Sequence, residues 1–90
     1  MWAASSFAAT HEETCAAYSA MAKLMAEQRD SGVPMSAWSE RIDGLEKNYR
    51  SLTPSNITYM RNLLLAVYHD LRTRTPEQLG LLTSAVCLNN

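Results

Sequence analysis

Two cysteines, Cys15 and Cys87, stand near opposite ends of the chain and are the only ones it has, so a single intramolecular pairing exists. A bridge between them closes a loop of about 70 residues, which chain-entropy arguments value at roughly 4 kcal/mol, a large share of the stability of a small domain. The chain has 90 residues, enough for one hydrophobic core and too few for two. A fold that uses the bridge must bring the end of the chain back to the side on which it began. The alternative is two unrelated buried thiols, but a small core gains most from a staple.

Lys and Arg number 8 against 9 Asp and Glu, a net charge of -1. No basic excess is present to neutralise a phosphate backbone or hold an acidic membrane surface, so no nucleic-acid partner is expected. With 47% hydrophobic residues and only 3 Gly and 3 Pro, the composition excludes disordered and collagen-like classes. No uncharged apolar run is long enough for a membrane span. The opening Met1-Trp2-Ala3-Ala4-Ser5-Ser6-Phe7-Ala8-Ala9-Thr10 carries no charge and no period. Its small residues resemble the end of a secretory signal peptide without the basic region or long apolar stretch. Residues 1–10 are therefore expected to form a flexible N-terminal segment, either the tail of a leader or a frayed terminus. Residues 11–90 form the single helical domain.

The rest reads as four helices. Thr10 with Glu13 is a capping box, and Gly32 a left-handed stop. Between them Cys15, Tyr18, Met21, Ala22 and Met25 make a buried stripe at helical spacing. Pro34 breaks the chain and Ser36 is read as the cap of a second helix from about Ala37 to Tyr49, with Met35, Trp38, Ile42, Leu45 and Tyr49 inward. Gly44 within it weakens the helix and is read as a candidate point of close helix crossing. Thr53-Pro54 opens a third helix to about Thr73, where the broad stripe Ile57, Met60, Leu64, Val67 and Leu71, widened by Leu63 and Tyr68, predicts the centre of the core. Thr75-Pro76-Glu77-Gln78 starts the last helix, with Leu79, Leu82, Val86 and Cys87 inward. Short loops make neighbouring helices antiparallel, so an up-down bundle of four returns Cys87 to Cys15, whereas three or five helices separate them. The expected fold is all-α, an up-down four-helix bundle with its first and last helices joined by a Cys15–Cys87 disulfide.

Two stretches carry a resemblance. Arg29-Asp30-Ser31-Gly32-Val33-Pro34-Met35-Ser36 follows a cysteine-bearing helix, and Ala66-Val67-Tyr68 precedes Arg72-Thr73-Arg74-Thr75-Pro76-Glu77 and the terminal Cys87. Over roughly residues 14–88 the chain resembles small exported two-cysteine helical proteins of bacteria and their phages. It departs from their pattern at Gly44–Ile57, which looks like a longer insertion, and lacks a proline after Ala-Val-Tyr. The resemblance implies an envelope location and an oxidised cysteine pair, and no activity.

Residues able to carry chemistry are few. The only two histidines are His11 and His69. His11 lies one turn from Cys15, but beside Glu12 and Glu13 in a first helical turn its expected state is a solvated side chain, not the base of a nucleophile. A metal site on His11, Glu12 and Cys15 lacks the four ligands of a closed centre. His69, Asp70, Arg72 and Arg74 read as a solvated helix end, where arginine complements the dipole. Asn56-Ile57-Thr58 matches a glycosylation sequon, a weak pattern. Met21, Met25, Met35 and Met60 with Trp38 fit core filling better than an adaptable groove. Trp2 and Phe7 are harder to place in the core and offer a contact for self-association or a partner.

No catalytic, cofactor or metal residue is assigned; the site residues are the disulfide pair Cys15 and Cys87. The expected function is noncatalytic: a small periplasmic or secreted protein that binds an unknown protein partner as an inhibitor, immunity factor or adaptor. The alternative is a small redox or thiol-dependent enzyme using Cys15 or Cys87.

Overall fold

The computed structural model describes residues 10–89. The expectations for the N-terminal segment, including Trp2 and Phe7, lie outside these residues except at Thr10. Four helices follow in chain order: α1 (His11–Asp30), α2 (Met35–Asn48), α3 (Pro54–Leu65), continued by a π-helical turn over Ala66–Asp70, and α4 (Pro76–Leu88). They form the all-α up-down bundle, with no strand among the described residues. The Cys15–Cys87 disulfide joins α1 to α4 across a Cα–Cα distance of 5.5 Å.

Local chemistry sets most of the boundaries. Thr10, Thr53 and Thr75 each accept a hydrogen bond from the backbone three residues on, and Glu13, Asn56 and Gln78 reach back to the cap's own N–H. Each reciprocal pair satisfies two donors that a helix start leaves free. After α1, Gly32 takes φ 94°. The Val33 amide then donates to Gln28 and the Gly32 amide to Arg29, closing the Schellman turn that glycine permits. The start of α2 differs from its expectation: Pro34, not Ser36, is the N-cap, and no side chain bonds to the free amides there. The pyrrolidine ring presets the φ of Pro34, so the helix begins at once and Ser36 falls within its first turn.

The core contains Tyr18, Ala22, Met25, Ala26, Trp38, Ile42, Ile57, Met60, Leu64, Val67 and Leu79. Met25 and Met60 are buried within it and Met21 and Met35 pack against it, so the methionines fill the interior. As its broad stripe predicts, α3 lies against two neighbours, α1 and α2. The closest pair, however, is α1 with α4. Small residues explain this: Ser19 Oγ donates to the Gly80 carbonyl at 2.6 Å, and a Cβ on Gly80 would lie 3.4 Å from that oxygen. Gly80 is thus the crossing glycine, and Gly44, with nothing within 4 Å of a added Cβ, is not.

Three apolar positions depart from the expected stripes. Tyr49 leaves α2 in an extended conformation as its C-cap and is exposed. Leu82 and Val86 are also exposed, because the inward face of α4 is Leu79, Gly80 and Thr83 with half-buried Cys87 packed against the core.

The connection after α1 and the end of α3 meet in space. Arg29 donates to the carbonyls of Val67 and Arg74, each at 2.8 Å, while the Tyr68 hydroxyl donates to the Val33 carbonyl at 2.7 Å. In the π-helical turn the Leu71 amide bonds to Ala66, and the half-buried Arg29 side chain supplies the adjacent Val67 carbonyl with a donor. Burial raises the Tyr68 phenol, while the nearby Arg29 and Arg41 charges act in the opposite direction. These residues hold the α1–α2 connection against the end of α3.

Candidate functional site

At the disulfide end, sequence position and topology converge. His11 and Cys15 are four residues apart on α1 and so share a face, and α4 runs back to place Cys87 beside them. His11 Nε2 lies 3.0 Å from the Cys87 carbonyl, to which an Nε2–H donates, and 3.7 Å from Cys15 Sγ. The imidazole is exposed, as expected of a solvated first-turn side chain, and in addition rests against the bridge. Cys15 is fully buried and Cys87 half-buried. Glu12 is not part of this cluster, whose third member is Cys87.

A cleft of about 320 Å³ opens beside the bridge, lined by His11, Thr14, Tyr18, Ser55, Asn56, Tyr59 and Cys87. The Tyr18 and Tyr59 rings pack with centroids 4.3 Å apart. Burial raises the Tyr59 phenol, and Tyr18 adds to that rise. The Asn56 amide nitrogen donates to the Tyr18 hydroxyl at 2.9 Å, and its oxygen accepts from Thr53. Asn56 is therefore committed to the capping box and the aromatic wall, a structural use of the sequon residue.

Tyr59 also borders a second depression, a groove of about 170 Å³ between α3 and α4. Its walls are Tyr59, Leu63, Ala66, Val67 and Leu71 on one side and Leu79, Leu82, Thr83 and Val86 on the other. None of these side chains carries a charge. Leu82 is 43% exposed and Val86 50%, and Leu81 beside them reaches 74%. Sequence reasoning missed this groove because it assigned Leu82 and Val86 to the core. The available signal was the run Leu81-Leu82, which is apolar on more of the circumference than one stripe can bury.

At the other end, His69 and Asp70 are exposed, and Arg72 donates to the His69 carbonyl. With the Arg74 carbonyl taken by Arg29, this region acts as a capped helix end. No helix among the described residues is long and apolar enough to cross a membrane. No family model, curated protein or solved structure matches the chain.

Proposed function

We propose that the chain is a noncatalytic protein of the cell envelope, periplasmic or secreted, that acts by binding another protein. In this reading an amphipathic helix of the partner lies in the groove between α3 and α4, as in an inhibitor, immunity or adaptor complex. The observation that carries the reading is the uncharged groove lined by exposed Leu82 and Val86. Two helices bounding an apolar trough accept a helix whose anchors recur every three or four residues. A few such anchors normally dominate affinity. The bridge suits an oxidising compartment, where a disulfide persists.

Photo-crosslinking in the native envelope fraction tests this. A crosslinking residue at Leu82 should capture one partner through a peptide of amphipathic helical pattern, whereas one at Lys47 should not. Val86→Glu should abolish the product. Equal capture at both positions, indifference to Val86→Glu, or capture of a second copy of the chain would refute the partner-helix reading. Substituting His11 and His69 together by Ala should leave the capture unchanged.

A second reading, a thiol-dependent redox protein, draws on the 3.7 Å approach of His11 to Cys15. Full burial of Cys15 opposes attack on its sulfur, since exchange requires access. An activity that survives Cys15→Ser and Cys87→Ser would dispose of this reading.

A further inference from the structure

We propose that His11, Cys15 and Cys87 form a metal site when their disulfide is reduced, binding one divalent cation of the zinc class through His11 Nε2 and the two thiolates. Water takes the fourth position. The ligating atoms of the three residues already lie within 4.8 Å of one another. A tetrahedral zinc centre with Zn–S near 2.3 Å and Zn–N near 2.0–2.1 Å has ligand–ligand edges of about 3.5–3.8 Å. The His11 Nε2 to Cys15 Sγ separation is 3.7 Å, already such an edge; the two sulfurs must part and Nε2 must turn from the Cys87 carbonyl. The cleft beside His11 and Cys87 admits the ion and its water from the open side. Glu13 is not a competing ligand, because its carboxylate accepts the Thr10 amide at 2.8 Å.

The chemistry balances with a phosphine as reductant. The phosphine gives two electrons to the S–S bond and takes an oxygen from water, becoming a phosphine oxide and leaving two thiols. Binding of the divalent ion then releases one proton from each thiol. The His11 proton that faces the Cys87 carbonyl moves to the other ring nitrogen, which frees Nε2 to ligate. The disulfide and the metal are thus alternative clamps between α1 and α4. The proposal is independent of the groove between α3 and α4.

Cobalt(II) titrated anaerobically into phosphine-reduced protein is the probe. One equivalent should generate the intense visible bands of tetrahedral, thiolate-ligated cobalt, zinc should displace it, and zinc should raise the melting temperature of the reduced chain. His11→Ala should weaken cobalt binding by about tenfold or more, given the size of losses seen even for residues that only support ligands. The double variant Cys15→Ser, Cys87→Ser should abolish the bands, and Glu12→Ala should leave them unchanged. If reduction unfolds the chain, recovery of helical circular dichroism on adding cobalt is the supporting result. Absence of the bands in reduced wild type, equal binding by the oxidised protein, or an affinity unaffected by His11→Ala would overturn the site.

Discussion

The two faces of α4 differ in a way that hydrophobicity alone does not explain. Its inward side presents Leu79, Gly80, Thr83 and Cys87 to the bundle, while Leu81, Leu82, Val86 and Leu88 remain exposed. The buried side is the one with smaller residues. Gly80 lets the α1 backbone approach closely enough for Ser19 to bond its carbonyl, and the disulfide fixes the same face about two turns further along. Close backbone packing therefore outweighs the larger apolar area of the other face. Part of that area, Leu82 and Val86, lines the groove between α3 and α4.

The largest effect should come from cutting the clamp. Cys15→Ser or Cys87→Ser should lower stability by about 4 kcal/mol on the chain-entropy estimate, read as a marked fall in melting temperature with helical circular dichroism retained in the cold. An unchanged melting temperature would mean that close packing alone holds α4 in place. Leu79→Ala should cost about 2–5 kcal/mol in denaturant unfolding, because Leu79 is almost fully buried. Leu81→Ala, two residues away on the exposed side, should stay within about 0.5 kcal/mol of wild type. Equal costs would erase the distinction between the faces.

The glycines sharpen it further. Gly80→Leu should destabilise by about 1–3 kcal/mol through overpacking, since Ser19 leaves room for little beyond a methyl. Gly44→Ala should instead stabilise by about 0.5–1 kcal/mol, the helix-propensity difference, because open space surrounds Gly44. A destabilising Gly44→Ala would show a crossing there after all.

These contrasts also mark what was legible in the sequence. Threonine caps gave three helix starts because capping is local chemistry. The cysteine pairing followed because four antiparallel helices leave the two residues at one end. The inward face of α4 was misread for a physical reason: periodicity ranks residues by apolarity, whereas a close crossing selects small ones. The start of α2 was displaced by a proline that needs no capping side chain. The π-helical turn was invisible because the donor for its Val67 carbonyl comes from Arg29 on another helix. The site at the bridge was half legible: the spacing of His11 and Cys15 indicated a shared face, but the contact of His11 with Cys87 depends on how α4 closes.

The smallest expected effect separates the starts of the two clamped helices. Both α1 and α4 open with a reciprocal capping box, but the one at α1 uses the titratable Glu13 and the one at α4 the neutral Gln78. The Thr10 amide and hydroxyl hold the Glu13 carboxyl below its ordinary range. A carboxylate with a lowered folded pKa contributes stability that is complete above the unfolded value of about 4.3, and is lost as pH falls through the lowered folded value. On acidification the Thr10 end of α1 should therefore fray while the Thr75 end of α4 does not. Amide hydrogen exchange, corrected for its intrinsic pH dependence, should show protection at Glu13 falling with acid and protection at Gln78 unchanged. Glu13→Gln should remove the difference, since an amide side chain keeps the reciprocal bond without titrating. Loss of protection at both helix starts in parallel would show that acid acts on the bundle as a whole and not on this cap.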